Sequence, residues 1–321
     1  MSTPGSGLRI GLDVGGTKIA GVALTPHGEI VARTRRATGW GGQAVVQGIV
    51  TAAQELAAQA GSSAGGIRSV GVGIPGLVDA DAGRVLHAVN LGVESLDVGP
   101  RVSEQLGVPC HVENDVKAAA LGAAALRGGG DEPMAYLNIG TGVAAGIVIG
   151  GRIWRGARGT AGEVGHLVVE PGGRVCGCGQ RGCIETLCGG GAIARAWGRA
   201  ADLPVKDVLD AADAGDEVAA ALRADIARGV SAAVRVLVLT ADVETVVIGG
   251  GLTALADRLE PRIRQALRDD ARESAFLRSL HLDERIELLP ATSPVSAIGA
   301  ALLGPDSSPH TPLDKEIIVH G

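Results

Sequence analysis

Residues 8–24 have the sequence LRIGLDVGGTKIAGVAL, in which two apolar segments are separated by a short turn with two adjacent glycines. A glycine turn between two apolar segments is typical of a β-hairpin, so we expect strands over LRIGLDV and IAGVAL. A second turn, TPHGE, separates these strands from a third strand near residues 30–34. The folded chain is therefore expected to open with a small sheet of adjacent strands.

The same pattern returns over residues 133–153 as strand, glycine turn and strand. Aligning Gly15 with Gly140 gives a constant offset of 125 residues, which also pairs Leu12 with Leu137 and Asp13 with Asn138. Two similar units predict two related lobes with a cleft between them. Glycine-rich hairpins can also align by chance, so the repeat alone leaves that alternative open.

Apolar spacing in the rest of the chain predicts further helices and strands. Helices are expected over residues 43–60, 98–106, 117–127, 216–239, 254–270 and 294–303. Strands are expected over 110–113, 243–248 and 285–289, and over 69–78 with a break at Pro75-Gly76. We expect an α/β protein with a flexible N-terminus (1–7), a small α/β lobe (8–117), a large α/β lobe (118–304) with a glycine- and cysteine-rich insert (156–191), and a C-terminal tail (305–321).

Composition excludes several classes of protein. The 321 residues are 46% apolar and 20% charged, as in a folded chain with a sizeable core. The formal net charge is −6 and aromatics are 2%, which argues against a nucleic-acid partner, because such binding needs basic charge or aromatic stacking. Neither a signal peptide nor a long unbroken apolar run is present, so we expect no membrane partner and a cytoplasmic location.

Three glycine turns, each after an apolar strand, are candidates for phosphate binding. In the first, the N–H groups of the Gly15-Gly16 turn and the Thr17 hydroxyl can form an anion-binding concavity, with the two glycines expected at positive φ. Asp13, just before the turn, could hold a water-bound Mg²⁺ beside the phosphates. The other two turns are Gly140-Thr141-Gly142 and Gly249-Gly250-Gly251.

Each turn also has a purely structural interpretation. The first can simply close a hairpin, and the third can serve helix entry or close packing. The spacing fits neither a P-loop nor a dinucleotide-binding fingerprint. Taken together, the three turns favour a nucleotide held by phosphate donors from both lobes.

The pair Asn114-Asp115 lies at the junction between a predicted strand and a predicted helix. A carboxylate there can accept a hydroxyl proton during phosphoryl transfer, and Asn114 can bind a polyol or orient Asp115. The alternative is that Asp115 is the N-cap of the helix, and its position alone favours that alternative.

Four of the five cysteines lie close together, which indicates metal binding better than a disulfide framework. His166, Cys176, Cys178 and Cys183 form H-x9-C-x-C-x4-C, a tetrahedral Zn²⁺ ligand set. Four protein ligands leave no open position, so the zinc would be structural. A reduced, metal-free cluster is the alternative. Cys188 is left as a buried thiol.

Two carboxylates, Glu163 and Glu185, flank the cysteine cluster in sequence. A metal-stiffened loop could present both as acceptors for sugar hydroxyls. Ordinary surface charge explains them equally well.

Together these motifs resemble the signatures of the ROK sugar kinases. They are DVGGTK (13–18), GIPGLVD (73–79), END (113–115), LNIGTG (137–142), EVGH (163–166) and CGCGQRGCIE (176–185). The resemblance extends over about residues 8–304. It implies the actin-like ATPase fold, also called the ribonuclease-H-like fold, with two lobes, a central cleft and a zinc-binding loop.

The resemblance also implies a site. Asp115 would be the catalytic base for the sugar 6-hydroxyl. The sugar would be bound by Asn114, Asp115, Glu163, His166 and Glu185, with Gly76 and Asn90 closing the site. ATP would be bound by Asp13, Gly15, Gly16, Thr17, Lys18, Thr141, Gly142, Gly249, Gly250 and Gly251, with Mg²⁺ near Asp13. His166 would use one ring nitrogen for zinc and the other for sugar.

Two departures from the family pattern affect the choice of sugar more than the chemistry. Val116-Lys117 replaces a small residue and Asn, and Val93 stands where many glucokinases have an aromatic residue. From the motifs and the resemblance together, we expect an ATP-dependent hexose kinase acting on glucose at O6. An N-acetylhexosamine kinase or fructokinase is the alternative that the two departures leave open. A non-catalytic sugar sensor and a polyphosphate donor are further alternatives. By analogy with the family, we expect a homodimer or homotetramer.

Overall fold

A computed structural model describes residues 7–61 and 66–304. The predicted C-terminal tail and all but Gly7 of the predicted N-terminal segment lie outside these ranges. The strands are β1 (Leu8–Val14), β2 (Lys18–Leu24), β3 (Ile30–Ala37), β4 (Ile67–Ile74), β5 (Leu77–Asp79), β6 (Arg84–Ala88), β7 (Val93–Asp97), β8 (Cys110–Asn114), β9 (Met134–Ile139), β10 (Val143–Ile149), β11 (Arg152–Ile153), β12 (Thr245–Gly249) and β13 (Ile286–Leu288).

The helices are α1 (Gly42–Ala60), α2 (Val98–Leu106), α3 (Asp115–Leu126), α4 (Ile184–Cys188), α5 (Gly190–Trp197), α6 (Pro204–Asp213), α7 (Glu217–Ala241), α8 (Ala256–Ala271), α9 (Ala275–Ser279) and α10 (Val295–Ala301). Short 3-10 helices cover Val89–Leu91, Val164–His166 and Gly251–Leu255. Among the residues described, no helix combines the length and apolar character needed to span a bilayer.

The two main sheets repeat one arrangement. Their strand orders are β3-β2-β1-β4-β8 and β11-β10-β9-β12-β13. In the first sheet β1 is antiparallel to β2 and parallel to β4, and in the second β9 is parallel to β12. Strands β2 and β10 begin at Lys18 and Val143, which is the offset of 125 residues predicted from the sequence. The internal repeat is therefore a structural repeat.

A third, three-stranded sheet, β5-β6-β7, was not predicted. Its strands are only three to five residues long; β5 has no buried residue, and β6 and β7 have two each. Strands this short carry too little apolar alternation to stand out in sequence. This sheet lies directly after Pro75-Gly76, where the prediction had one long strand broken.

The core of the first sheet is formed by strand and helix residues that the spacing predicted. Ile10 and Leu12 of β1 and Val72 of β4 are fully buried with Ile49 and Leu56 of α1. Helix α1 begins one residue before the predicted start and ends at Ala60, as predicted. Burial of one apolar face on this helix is what holds it against the sheet.

The chain forms two compact units. Of the described residues, the first contains 7–61, 66–132, 146–161 and 293–304, and the second contains 133–145 and 162–292. The division differs from the expected boundary between residues 117 and 118, which would cut helix α3, Asp115–Leu126.

The reason for the difference is the final helix, α10, which belongs to the first unit. A Cβ on Gly11 of β1 would overlap the main-chain oxygen of Ala297, and one on Gly71 of β4 would overlap that of Ala300. On the other side, a Cβ on Gly299 would overlap the main chain of Ala118 in α3. Glycines at these contacts let the backbones of strand and helix approach closely, which ties residues 293–304 to the N-terminal sheet.

Candidate active site

The first glycine turn is closed by its own backbone. Gly15 N–H donates to Lys18 O at 2.8 Å, and Thr38 Oγ1 donates to Gly15 O at 2.6 Å. Thr17 and Lys18 are exposed. The turn is therefore held rigidly by β2 and by Thr38, which the sequence did not single out, while its polar side chains face solvent.

The expected positive φ at Gly15 and Gly16 is wrong, because neither residue is among those with positive φ. Glycine at position 16 serves a different need. A Cβ there would lie 3.1 Å from the main-chain oxygen of Asn90 and 3.2 Å from its Cβ. Because Gly16 has no side chain, Asn90, which is predicted to close the sugar site, can lie against Gly16, which is predicted to bind phosphate.

Asp13, at the end of β1, is held by a partner from the other end of the chain. Ser296 Oγ donates to Asp13 Oδ1 at 2.9 Å. Burial raises the pKa of the Asp13 carboxyl, and the Ser296 hydrogen bond and the charge of Lys18 oppose that rise. Ser296 is a lone hydroxyl in an otherwise apolar segment, PVSAIGAAL, which is the one signal that could have revealed it.

The second glycine turn is hydrogen-bonded to the start of helix α5 and followed by a hydrogen bond to Glu185 of α4. Gly140 N–H donates to Gly142 O at 3.1 Å, and the N–H groups of Gly190 and Gly191 donate to Gly140 O and Thr141 O. Glu185 Oε2 accepts from Val143 N–H at 3.0 Å, directly after the turn. Glu185, predicted to bind sugar, therefore contacts the predicted phosphate turn of its own unit.

In the third glycine turn, two of the three glycines are explained by close packing. A Cβ on Gly249 would overlap the Tyr136 hydroxyl. Gly250 has φ +88°, and a Cβ there would lie 2.6 Å from Ile139 O. Gly251 is exposed and opens a 3-10 helix, and a Cβ there would meet nothing within 4 Å. The structural interpretation of this turn accounts for Gly249 and Gly250, and the role of the turn in ATP binding stays a prediction.

The N-cap of helix α3 is Asn114, and Asp115 is the first residue inside the helix. Asn114 Oδ1 accepts from the N–H groups of Val116 and Lys117 at 3.1 and 3.2 Å. The alternative that Asp115 serves as N-cap is therefore wrong. Its half-buried carboxylate lies in the first turn, where the helix dipole favours negative charge.

The other end of the Asn114 amide reaches a second predicted site residue. Nδ2 donates to Gly76 O at 3.3 Å, and Gly76 has φ +110°. A side chain at Gly76 would be strained and would lie 2.7 Å from Leu86 O. The contact brings Gly76 and Asn114 together at the ends of β4 and β8, beside Asp115.

The four predicted metal ligands lie in one cluster. The ligand atoms of His166, Cys176, Cys178 and Cys183 are all within 4.8 Å of one another. Cys178 Sγ is 3.7 Å from Cys183 Sγ, and Cys176 Sγ is 3.7 Å from His166 Nδ1. Zinc bound at ~2.3 Å by sulfur in a tetrahedron keeps its sulfur ligands about 3.8 Å apart. The donor set and its spacing fit Zn²⁺.

The pKa values of the three clustered thiols are shifted in different directions. Burial raises the pKa of Cys183 to about 12 and also raises that of Cys176, while hydrogen bonds from Gln180 lower the pKa of Cys178 to about 6. Cys188 is fully buried and donates to Ile184 O, as expected for the spare thiol. Two buried thiols that resist ionisation need a cation to become thiolates, which is the role a metal ion supplies.

Glu163 and His166 share one 3-10 turn. His166 N–H donates to Glu163 O at 3.2 Å, and Glu163 is exposed. A glycine before the turn and one within it let the turn lie on β10, since Cβ atoms on Gly162 and Gly165 would overlap the main-chain oxygens of Ala145 and Val143. With Nδ1 facing the cysteines, His166 keeps Nε2 for another partner.

A model of the ROK family matches residues 9–306. The chain belongs to the ROK family. A glucokinase from Halalkalibacterium halodurans is 35% identical over 277 residues, covering 80% of this chain and 84% of that protein. A putative xylose repressor from Caldicellulosiruptor is 30% identical, covering 81% and 69%. An N-acetylmannosamine kinase from Yersinia pseudotuberculosis is also 30% identical, covering 79% and 86%.

Solved ROK structures share the fold. The ROK hexokinase from Thermus thermophilus has a TM-score of 0.75 and 32% identity, covering 92% of this chain and 97% of that one. A glucokinase from Streptomyces griseus, in complex with glucose and AMPPNP, has a TM-score of 0.73 and 30% identity, covering 92% and 98%. The predicted family is confirmed, and the fold is the actin-like ATPase fold of these kinases, with a Cys/His cluster able to hold a metal ion.

The predicted site residues are divided between the units. The first unit holds Asp13, Gly15, Gly16, Thr17, Lys18, Gly76, Asn90, Asn114 and Asp115, and the second holds Thr141, Gly142, Glu163, His166, Cys176, Cys178, Cys183, Glu185 and Gly249–Gly251. Within each unit they form connected groups. The predicted cleft between lobes and the individual roles of these residues stay predictions.

Proposed function

We propose that this ROK protein transfers the γ-phosphoryl group of ATP to the 6-hydroxyl of glucose, with Asp115 as the catalytic base. One observation carries the proposal: the predicted phosphate turn and the predicted base lie at the same edge of one sheet. Strands β1, β4 and β8 run parallel, so Asp13 and Asn114-Asp115 are at their carboxyl ends. Open α/β sheets bind their ligands at that edge.

The chain is an ATP-dependent sugar kinase, as its family and its glucokinase relatives show. The finer assignment follows from chemistry. Phosphoryl transfer needs the nucleophile and the phosphate to be positioned in line, with little covalent work left to the protein. A carboxylate held at a helix N-terminus can orient the sugar hydroxyl and accept its proton as the phosphoryl group moves.

The glycine turns would place main-chain N–H groups, with Thr17 and Lys18, around the phosphates of ATP. Asp13 would hold Mg²⁺ through water, and the ion would neutralise negative charge on the phosphates. The support is the donor chemistry: the half-buried Asp13 carboxylate, whose pKa is raised by burial, lies beside the predicted phosphate turn and would gain from a nearby cation.

The sugar would be bound by Asn114 and Asp115, with Gly76 and Asn90 closing the site, and by Glu163, His166 and Glu185 of the second unit. His166 suits both tasks because its Nδ1 faces the cysteine cluster and Nε2 remains for a hydroxyl. Zn²⁺ would be structural, since three cysteines and one histidine complete its tetrahedron.

The second candidate is an N-acetylmannosamine or N-acetylglucosamine kinase, which the 30% identical Yersinia relative supports. The departure at position 93 bears on this choice. Val93 is only 6% exposed, packed into the first unit's core, so no aromatic face is offered from this position. A fructokinase, a polyphosphate-dependent kinase and a non-catalytic sensor are the remaining alternatives.

The experiment that tests the proposal is a panel of sugars assayed with ATP and, separately, with polyphosphate. Glucose, N-acetylglucosamine, N-acetylmannosamine and fructose are compared by kcat/KM, and the phosphorylated carbon is located by NMR. Glucose should have the highest kcat/KM, with phosphate on O6. A higher kcat/KM for an N-acetylated sugar would replace glucose in the proposal, and sugar binding without turnover would support the sensor.

A further inference from the structure

Two charged side chains flank Asp115 and are almost completely buried. Glu113, two residues before it, is 2% exposed, and Lys117, two residues after it, is 4% exposed. Neither has a part in the proposed reaction. Buried charges cost free energy unless they are paired, so both positions call for an explanation.

Glu113 uses both carboxylate oxygens. Oε1 accepts from Asn114 N–H at 2.9 Å, and Oε2 accepts from Arg155 Nε at 2.6 Å. Arg155 is 46% exposed at its side chain, so the ion pair joins the buried end of β8 to a surface segment. That segment, residues 155–161, precedes the predicted sugar ligands Glu163 and His166 in the chain.

Lys117 reaches the same segment. Its Nζ donates to the main-chain oxygen of Gly159 at 2.6 Å. Lys117 is in the first turn of α3, where the helix dipole disfavours a cation, and its ammonium is buried with a neutral acceptor. The buried charge therefore lowers the stability of the folded protein, and the contact that compensates for it is the hydrogen bond that tethers Gly159 to α3.

We propose that Glu113 and Lys117 are positioning residues that fix the 155–161 segment to the start of helix α3. The segment ends one residue before Gly162-Glu163, so the two tethers set the entry of the chain into the EVGH turn. All the contacts lie within the first unit. The inference deepens the proposed function, because it assigns the tethers to sugar binding and leaves proton transfer to Asp115.

Limited digestion with trypsin reports how firmly the 155–161 segment is held, because Arg155 and Arg158 in this segment are exposed. A loosened segment is cleaved faster. Native protein is digested briefly, and cleavage after each arginine is followed by mass spectrometry. The variants are Lys117→Met and Glu113→Gln, with Arg155→Gln as a surface variant scored at Arg158. Lys206→Met is the matched control, since Lys206 makes an exposed ion pair with Asp210 in α6.

We expect cleavage after Arg158 to quicken about tenfold in each tether variant, and KM for the sugar to rise by a similar factor with kcat and KM for ATP nearly unchanged. Lys117→Met should melt no lower than the wild type, because it removes a buried charge. A purely structural role would instead lower the melting temperature and leave the sugar KM unchanged.

Cleavage rates and sugar KM equal to those of Lys206→Met would overturn the inference. If the wild type phosphorylates no sugar, the proposed function fails, but the cleavage rates still decide the tethers: faster cleavage supports them and equal cleavage refutes them. If Lys117→Met does not fold, Arg155→Gln gives the same decision from the surface side.

Discussion

Ser296 Oγ lies 2.9 Å from Asp13 Oδ1 and 3.3 Å from the main-chain oxygen of Asp115. One hydroxyl from the last helix thus contacts both the residue assigned to the cation and the residue assigned to the proton. Because a serine hydroxyl has a single proton, it can donate to only one of these oxygens at a time. The contact places α10 against both Asp13 and Asp115.

Asp13→Asn should stabilise the metal-free protein at neutral pH. Burial raises the pKa of Asp13 above its ordinary 3.8, so ionising this carboxyl is harder in the folded state than in the unfolded chain. The stability linked to the neutral form is fully present below pH 3.8 and is lost as pH rises through the raised pKa. Melting curves across pH should show the variant gaining over the wild type as pH rises, while kinase activity falls. A variant that melts lower at pH 7 would contradict the burial argument.

Ser296→Ala should move the acid limb of the activity profile to higher pH. The Ser296 hydrogen bond opposes the rise of the Asp13 pKa, so its removal lets that pKa rise further. The shift is measured as kcat/KM against pH at limiting Mg²⁺. Ser231→Ala is the control, because this buried serine bonds Asp270 in the second unit. Identical profiles for the wild type and Ser296→Ala would show that Asp13 does not control the reaction.

Asp115→Asn should lower kcat by about 10²–10⁴, the usual contribution of a general base. The amide has nearly the shape of the carboxylate, and the Asn114 cap of the helix stays in place. Sugar binding, measured by calorimetry, should therefore survive within a few-fold. Turnover near that of the wild type would remove Asp115 from the mechanism.

Gly16→Ala should raise KM for ATP and for sugar together. The added Cβ would lie 3.1 Å from Asn90 O, tighter than ordinary contact, so the turn and the 89–91 helix must separate. Gly130→Ala is the matched control, because it is exposed and a Cβ there meets nothing within 4 Å. The measurement is the steady-state KM for ATP and for sugar in the two variants. Equal KM values would mean that the turn does not approach its substrates at Gly16.

Cys183→Ser should abolish metal binding and weaken sugar binding, because His166 loses the ion that orients it. Elemental analysis of the purified wild type should find about one zinc per chain, as a single four-ligand site requires. Cys188→Ala removes a buried thiol outside the ligand set and should keep the zinc. Zinc-free wild type with full sugar affinity would refute the structural role.

What the sequence predicted was carried by local, periodic signals. The hairpin at residues 8–24, its repeat and the spacing of His166 and three cysteines each depend on residues close in the chain, so the pattern alone located them. The features that the sequence did not predict depend on contacts between residues far apart in the chain. Ser296 on Asp13, Asn90 against Gly16 and Arg155 on Glu113 join residues 283, 74 and 42 positions apart, and no periodicity records such pairs.

The cap of helix α3 shows a finer limit. Asn and Asp are both good N-caps, and a shift of one residue decides whether the Asp115 carboxylate caps the helix or lies in its first turn. Helix ends are uncertain by that amount in any sequence pattern. Only the hydrogen bonds of Asn114 Oδ1 to Val116 and Lys117 decide between the two.

The packing of α10 against Gly11 and Gly71 has a consequence for biosynthesis. A ribosome releases the chain from its N-terminus, but the first sheet lacks its covering helix until residues 295–301 have been made. The second unit, residues 133–145 and 162–292, is complete earlier and can fold first. Until residues 295–301 follow, one face of the N-terminal sheet stays uncovered by α10. A message truncated before codon 295 would yield a protein that cannot complete its first unit.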